Sequence, residues 1–267
     1  MQNKIGFIGA GNMTTAILNG ILAKDFILAE NIFVYDILSE KAQFFNEIGV
    51  NFTENAQKVI ESASCIFLAT KPQNLKDCLK NLTFNRENFL VSIAAGVDIS
   101  TIKACTNPDI AVIRAMPNTP ILVGEGATAI AVSPEVTRFQ EEFVTRLFET
   151  CGICHKIDEH DLNTVTAISG SGPAYFFTMA KAAAEFAKSA SLLDLRIANE
   201  LFAQTMIGAG KMLLESGKSP EELIAAVASK GGTTEAALNS FEENKFEEII
   251  IKAMKVAQTR AYQLANQ

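Results

Sequence analysis

The sequence predicts an α/β fold class, in which a doubly wound, mainly parallel sheet over residues 1–158 is followed by an all-α half over residues 159–267. Three observations predict it. Short apolar runs alternate with helical patterns in the first half, as in a parallel sheet covered on both faces. After residue 160 the strand-like runs disappear and alanine-rich helical patterns dominate. The chain has 267 residues, 48% of them hydrophobic, which is enough for two packed parts.

Seven short apolar runs are predicted to be strands. Each is rich in β-branched or aromatic residues and lies between helical or turn-forming segments. They cover residues 4–8, 31–36, 65–70, 88–94, 110–115, 127–132 and 153–157. Continuous apolar strands of this kind are typical of a sheet that is buried on both faces.

Three helices of the second half have recognisable ends. Pro173 stands at the first turn of a long helix that is apolar around most of its circumference. Asp194 is predicted to cap a second helix that ends at Gly217. Ser219 and Glu222 form a capping box for a third. We expect the apolar helices to pack against a second copy of the chain. A monomer whose bundle packs only on its own first half is the alternative.

Composition and charge exclude several classes of protein. The net charge of −7 argues against a protein that binds nucleic acid through phosphate contacts. No apolar run approaches the roughly 18 residues that a membrane span needs. The apolar residues 5–10 contain two glycines, so they are interpreted as a buried first strand and not as a signal peptide. Five cysteines fit a reducing compartment, and the protein is predicted to be cytoplasmic.

A glycine-rich turn follows the first predicted strand. It reads Gly9-Ala10-Gly11-Asn12-Met13-Thr14 and runs into a helical pattern over residues 16–23. Glycine is needed at the tight turn and again where the backbone approaches a diphosphate, and a small residue is wanted third, where Thr14 stands. The pattern predicts a Rossmann-type dinucleotide site, with the diphosphate on N–H groups at the helix start.

Asp36 ends the second predicted strand, 25 residues after Gly11. An acid at this place accepts the adenosine ribose hydroxyls and repels a 2′-phosphate, which favours NADH over NADPH. A solvated loop aspartate is the alternative. Ser39 and Lys41 lie close enough in sequence to tolerate a phosphate, so NADPH stays open.

Three further strand ends carry small or polar residues, at positions 69–72, 94–96 and 114–120. In a doubly wound sheet the ligand lies outside the carboxyl ends of the strands, so we expect these segments to border the cofactor. Small residues at 94–96 leave room for a nicotinamide ring. Pro117 and Pro120 stiffen the last segment and make Asn118 a candidate polar contact. Ordinary loop chemistry is the alternative for each segment alone.

Two glycine-rich segments interrupt the helical half, at residues 169–173 and 227–234. In the second, a double glycine precedes two threonines at a predicted helix start. The N–H groups of Gly232, Thr233 and Thr234 are therefore predicted to hold a carboxylate, with a hydroxyl beside them. Plain helix capping by Thr233 or Thr234 is the alternative.

Two other motifs do not predict a function. Cys151-Gly152-Ile153-Cys154-His155 spells a haem c attachment pattern, and His160 adds a possible zinc ligand. Haem c attachment needs an exported chain, and the cysteines lie where a strand is expected, so no metal is predicted. Gly170-Ser171-Gly172 is not the nucleophile elbow of a serine hydrolase.

In these motifs and their order, the chain resembles the pyrroline-5-carboxylate reductase family. The resemblance rests on segments that run through essentially the whole chain, at residues 5–13, 69–72, 92–96, 114–120, 169–175 and 229–238. It implies reduction of 1-pyrroline-5-carboxylate to L-proline by NAD(P)H, the last step of proline biosynthesis. It also implies a Rossmann domain followed by a helical domain that interleaves into dimers, sometimes assembled into larger rings.

The resemblance also implies site residues. Besides Asp36, those expected to bind the cofactor are Gly9, Gly11, Asn12, Met13, Asn55, Ala69, Lys71, Pro72 and Ala95. Gly232, Thr233 and Thr234 are expected to hold the substrate carboxylate. Lys230 stands where proline is common in the family and adds a positive charge near that carboxylate.

The expected reaction needs little acid–base machinery. A cyclic imine takes a hydride on carbon and a proton on nitrogen, so catalysis depends mainly on orientation. Thr234 is predicted to supply the hydroxyl nearest the imine nitrogen. Two alternatives stay open: a related two-domain dehydrogenase of a small hydroxy acid, which needs a lysine or histidine to move a proton, and a non-catalytic dinucleotide-binding module.

Overall fold

The computed structural model describes residues 4–190 and 193–265. Within these ranges eight strands form one sheet: β1 (Ile5–Ile8), β2 (Ile32–Tyr35), β3 (Asn51–Phe52), β4 (Cys65–Leu68), β5 (Phe89–Ser92), β6 (Ala111–Met116), β7 (Gly126–Val132) and β8 (Gly152–Lys156). Their order is β3-β2-β1-β4-β5-β6-β7-β8. Neighbouring strands are parallel except β6 and β7. The predicted mainly parallel sheet is therefore confirmed.

The strand order reverses direction at β1. This strand pairs with β2 on one side and β4 on the other, so that Phe7 lies between Val34 and Phe67. A doubly wound sheet binds its ligand outside the carboxyl ends of the strands at such a switch point. The two-residue strand β3 was not predicted, because periodicity needs a longer segment than Asn51 and Phe52 provide.

Helices connect the strands and make up most of the second half. They are α1 (Asn12–Ala23), α2 (Ala42–Glu47), α3 (Ala56–Ser62), α4 (Pro72–Leu79), α5 (Ile99–Cys105), α6 (Arg138–Glu149), α7 (Leu162–Val165), α8 (Gly172–Ala190), α9 (Leu195–Glu215), α10 (Pro220–Val227), α11 (Thr233–Glu243) and α12 (Phe246–Ala265). Asp194 caps α9 by accepting the N–H groups of Arg196 and Ile197, and Ser219 and Glu222 form the predicted capping box of α10.

The sheet carries an apolar core on each face, as its unbroken apolar strands require. One cluster contains Phe7, Phe67 and Phe148, and the other contains Ile8 and Leu90. Phe7 and Phe67 stack with their ring centroids 4.5 Å apart. The rigid sheet fixes where each strand ends, and thereby the loops that carry the candidate cofactor residues.

The structure divides into two compact units. One contains the residues up to Pro173 together with those from Val256 onward, and the other contains Ala174–Lys255. In the first unit, Gln258 of α12 donates to the Thr164 hydroxyl at 2.7 Å. The second unit is helical and exposes large apolar side chains, among them Phe186 and Leu214 at 71% and 76% of their surface. The domain boundary expected from the sequence, between residues 158 and 159, marks the change from alternating strand and helix patterns to helical patterns alone. It stays a prediction.

No helix within the described ranges combines the length and the apolar character that crossing a membrane demands.

Candidate functional site

The glycine turn after β1 contains a position that only glycine can occupy. Gly9 has φ +110°, and a Cβ there would lie 2.6 Å from the carbonyl oxygen of Ala69. Its N–H donates to the Tyr35 carbonyl at 2.8 Å. The turn therefore passes closely over the end of β4 and is fixed to the end of β2.

Gly11 is different, because no described atom lies within 4 Å of where its Cβ would be. It is the N-cap of α1, has an extended backbone, and makes no side-chain capping bond. The first turn of α1, which begins with Asn12 and Met13, contains no acidic residue. The helix start thus presents N–H groups that no side chain caps, beside the space that a side chain at Gly11 would fill.

Thr14, which stands where a third small residue was expected, has a defined role in the turn. Its side chain is fully buried, and its hydroxyl donates to the Gly9 carbonyl at 2.7 Å. The hydroxyl satisfies a backbone acceptor that the tight turn would otherwise leave without a partner. Thr14 therefore stabilises the glycine turn through this hydrogen bond.

Asp36 lies at the end of β2 and is held by three donors. Its carboxylate accepts the N–H groups of Ala10 at 2.7 Å and Leu38 at 3.0 Å, and the ammonium of Lys41 at 3.0 Å. Burial alone would raise the pKa of Asp36, but the N–H groups of Leu38 and Ala10 and the Lys41 ammonium outweigh it and hold the pKa below its ordinary value. The group is a fixed negative charge next to the glycine turn.

A cavity of about 340 Å³ opens beside this carboxylate. Its wall comes from the segments after β2 and β3, and includes Asp36, Ile37, Ser39, Phe52 and Thr53. The contribution of β3 to this wall was not predicted, because a two-residue strand is too short to be recognised from its periodicity. The cavity has an acidic rim and apolar walls.

Asn55 lies at the start of α3 and is the N-cap of that helix. Its side-chain oxygen accepts the N–H of Lys58 at 2.9 Å, and its carbonyl accepts the hydroxyl of Thr53 at 3.0 Å. The side-chain oxygen is therefore committed to the helix cap.

The end of β4 leads directly into α4. Lys71 is the exposed N-cap of this helix and Pro72 is its first residue. The hydroxyl oxygen of Thr70 is buried and has no hydrogen-bond partner among the described residues. At the end of β5, Gly96 follows Ala95 in a left-handed conformation with φ +80°. These strand ends lie at the same edge of the sheet as the glycine turn.

Beyond β6, the structure gives Asn118 a different role from the predicted ligand contact. Its side-chain oxygen accepts the N–H of Ala127 at 2.9 Å, and its amide nitrogen donates to the Ser169 carbonyl at 3.1 Å. Both polar atoms of the amide are thus used within the chain.

Arg114 of β6 is a second buried polar side chain in this region, with 5% of its surface exposed. It donates to the Glu159 carboxylate and to the Asn163 side chain, both at 3.3 Å. Glu159 also accepts the N–H of Ile99 at 2.7 Å. The segment around residues 159–163 is therefore tied to the sheet.

In the helical unit, the double-glycine segment precedes a helix as predicted. Helix α11 begins at Thr233, with Gly232 as its N-cap, and no side chain makes a capping bond. Capping by Thr233 or Thr234 is therefore wrong, because both threonines already lie inside the helix. Gly231 has φ +72°, a conformation that favours glycine.

Glu235 contributes to this turn and was missed from the sequence. Its carboxylate accepts the N–H of Gly231 at 2.7 Å. An acid in the third helical position has the spacing of a capping box, which is the signal that could have identified it. Glu235 thus stabilises the turn while placing a negative charge beside Thr233 and Thr234.

The cysteine motif of residues 151–155 is explained by packing. Cys151 is buried, and its Sγ occupies the space that a side chain at Gly20 would need. Burial, together with the nearby Glu149, raises the pKa of Cys154 to about 12, so its thiol is not a ready metal ligand. His160 lies with Asp158 and Asp161 in an exposed acidic group outside the strand.

Two family models match parts of the chain. Residues 159–264 match a family model described as pyrroline-5-carboxylate reductase dimerisation. Residues 4–96 match a model described as NADP oxidoreductase, coenzyme F420-dependent.

Full-length relatives and solved structures agree with these matches. The pyrroline-5-carboxylate reductase of Escherichia coli (strain K12) is 37% identical, over all of this chain and all of that protein. A crystal structure of the Plasmodium falciparum pyrroline carboxylate reductase with NADP bound has a TM-score of 0.91 and 28% identity, with 99% of both chains covered. The Coxiella burnetii pyrroline-5-carboxylate reductase structure has a TM-score of 0.89 and 32% identity, again with 99% of both chains covered. From its sequence, its fold and these relatives, the chain belongs to the pyrroline-5-carboxylate reductase family.

Proposed function

We propose that this chain reduces 1-pyrroline-5-carboxylate to L-proline with hydride from NADH or NADPH, the last step of proline biosynthesis. Relatives that bear the name of this reductase match the chain over its full length. The observation that carries the proposal within the molecule is the glycine turn, where Gly9 is sterically required and Gly11 leaves space at an uncapped helix start.

The residues present fit a nicotinamide dinucleotide. The empty space over Gly11 and the first turn of α1 suit a diphosphate, which N–H groups at a helix start bind well. The cavity beside Asp36 suits the adenosine. Ala69, Lys71, Pro72 and Ala95 lie along the same edge of the sheet, toward β5, and are proposed to contact the rest of the cofactor. The bound dinucleotide supplies the hydride.

For the cofactor preference, we propose NADH. The Asp36 carboxylate is fixed where it can accept ribose hydroxyls, and its charge opposes a 2′-phosphate. Lys41 partly offsets that charge, because its ammonium is 3.0 Å from the carboxylate. The Plasmodium falciparum relative was crystallised with NADP, so use of NADPH by this chain at a lower rate is consistent with the family.

The substrate carboxylate is proposed to bind the N–H groups of Gly232, Thr233 and Thr234. The structure supports this for Thr233 and Thr234, because no side chain caps the start of α11. The N–H of Gly232 donates to the Ser229 carbonyl at 2.9 Å and would have to exchange that partner for the substrate. Thr234 is half-buried, and we propose that its hydroxyl donates toward the imine nitrogen as the ring is reduced. Binding by the carboxylate orients the ring, and orientation supplies most of the rate enhancement that this reaction needs.

We further propose that the chain acts as a dimer, or as a larger ring built from dimers, in the cytoplasm. The helical unit exposes side chains such as Phe177, Phe186 and Leu214, which favour burial against a second copy. Each cysteine of the chain lies in the described ranges and is a free thiol, which suits a reducing compartment.

The purified chain should oxidise NADH when racemic 1-pyrroline-5-carboxylate is added, as followed by the absorbance of the reduced nicotinamide. NADPH in place of NADH should give a lower kcat/KM. A small hydroxy acid with NAD⁺ serves as the control and should give no reaction. Binding of NADH without its oxidation by the imine would overturn the proposed reaction and leave a dinucleotide-binding module.

A further inference from the structure

A helical turn of unusual geometry precedes α8. Residues Thr166–Gly170 form one turn of π-helix, in which Ser171 donates to the carbonyl of Thr166, five residues earlier, at 2.8 Å. In a regular α-helix the carbonyl of Ser169 would accept the N–H of the residue four positions later. That residue is Pro173, which has no N–H. Pro173 therefore leaves the Ser169 carbonyl without its α-helical hydrogen-bond donor.

Asn118 supplies the missing donor from the loop after β6. Its amide nitrogen donates to the Ser169 carbonyl at 3.1 Å, while its oxygen accepts the N–H of Ala127 at 2.9 Å. These two bonds fix the orientation of the amide, because the N–H of Ala127 can only donate and the carbonyl of Ser169 can only accept. The side chain has 7% of its surface exposed, so neither bond is readily replaced by water.

The two segments that Asn118 joins are also in close steric contact. A Cβ at Gly170 would lie 2.6 Å from Cε of Met116, the last residue of β6. The loop after β6 and the turn at 169–173 therefore form a single wall. This wall lies at the carboxyl edge of the sheet, on the side of β1 away from Asp36.

A dinucleotide bound across this edge with its adenosine beside Asp36 extends toward β4, β5 and β6. We propose that Asn118 is a positioning residue for hydride transfer. Its amide donates to the Ser169 carbonyl, which Pro173 leaves without an α-helical donor. This bond fixes the wall against which the nicotinamide end of the cofactor is held. The inference rests on the proposed function. It requires that Asn118 affect turnover much more than it affects binding of the adenosine and diphosphate.

Paired substitutions test this proposal. Asn118→Asp keeps an acceptor for Ala127 but loses the donor to Ser169, and Asn118→Ala loses both. Pro173→Ala restores an N–H to the helix, and its own kcat/KM is the reference for the double variants. We expect each Asn118 variant to lose about tenfold or more in kcat/KM for the imine, with the Kd for NADH, measured by fluorescence, changed by about twofold or less. Adding Pro173→Ala to Asn118→Asp should recover about half of the loss in kcat/KM, measured on a logarithmic scale.

The possible outcomes distinguish a role of Asn118 in positioning the cofactor from a role in stability alone. The proposal is overturned if both Asn118 variants keep kcat/KM within about twofold. It is also overturned if Pro173→Ala restores the Tm of Asn118→Asp without restoring turnover. Should neither single variant fold, the double variants with Pro173→Ala decide: folded and active protein supports the proposal, and folded but inactive or still unfolded protein refutes it.

Failure of the proposed function is recognised separately, because the unmodified chain would then not oxidise NADH with the imine. Hydrogen exchange of the backbone over residues 166–172 still tests the structural step in that case. We expect faster exchange in Asn118→Asp and a return toward the original rate with Pro173→Ala. Unchanged exchange in Asn118→Asp would show that the amide does not hold this turn.

Discussion

The carboxylate of Asp36 accepts the backbone N–H of Ala10 at a distance of 2.7 Å. This bond joins the end of β2 to the middle of the glycine turn after β1. An acid in this place is commonly expected to serve only the cofactor's ribose. Here it also fixes the turn that is proposed to hold the diphosphate, and its charge is anchored by Leu38 and Lys41.

The first prediction concerns cofactor choice. Asp36→Asn removes the charge that opposes a 2′-phosphate and releases Lys41, whose ammonium can then pair with one. We expect the ratio of kcat/KM for NADPH to that for NADH to rise about tenfold, equivalent to about 1.4 kcal/mol. Lys41→Met is the matched control and should lower NADPH use while leaving NADH use nearly unchanged. An unaltered ratio in Asp36→Asn would remove Asp36 as the discriminating group.

The second prediction concerns the stability of the glycine turn. Thr14→Val removes the hydroxyl that donates to the Gly9 carbonyl and leaves that buried acceptor without its partner. The free energy of unfolding should fall by about 1–3 kcal/mol, as measured by urea denaturation. Thr14→Ser keeps the donor and should lose less. Equal stability of the valine and serine variants would show that the hydrogen bond contributes little.

A third prediction addresses the hydroxyl proposed to face the imine. Thr234→Ala should lower kcat/KM for 1-pyrroline-5-carboxylate by about tenfold or more, the effect of losing a contact of roughly 1.5–3 kcal/mol. Thr233→Ala keeps its backbone N–H and loses only an exposed hydroxyl, so its kcat/KM should stay close to that of the parent. If both alanine variants behave like the parent chain, Thr234 has no part in the reaction.

The fourth prediction concerns Glu235, whose carboxylate accepts the N–H of Gly231. Glu235→Gln retains an oxygen acceptor but removes a negative charge beside the amides proposed to bind the substrate carboxylate. The KM for the imine should therefore fall, by about two- to fivefold, with kcat little changed. Glu235→Ala loses the acceptor as well, so its KM should rise. A higher KM in the glutamine variant would mean that the charge itself is needed at this turn.

The sequence predicted the fold well where one local signal sufficed. Unbroken apolar runs indicated the parallel strands, and Asp194 and Ser219 marked two helix starts because a cap depends only on its near neighbours. Strand β3 escaped because two residues carry no period. Within the candidate site, the position of Gly9 was predictable, since a tight turn before a helix demands glycine.

The relationships that were not predictable join residues far apart in the chain. Asn118 reaches Ser169 across 51 positions. Pro173 shows locally that the Ser169 carbonyl lacks its helical donor, but no local pattern reveals which side chain replaces that donor. The bond from Thr14 to Gly9 depends on the backbone path of the turn, so composition alone suggested only a departure from the expected small residue. Such contacts need the folded chain, because side-chain partners are set by tertiary packing.

The proposed reaction depends on one event, the transfer of a hydride from the dinucleotide to the imine carbon. Its most direct measurement uses reduced dinucleotide deuterated at the transferable position of the nicotinamide, with 1-pyrroline-5-carboxylate and the purified chain, and analyses the product by mass spectrometry. We expect L-proline that carries deuterium on the carbon derived from the imine, with the oxidised cofactor formed in equal amount. Proline without deuterium, or oxidised cofactor without proline, would contradict the account.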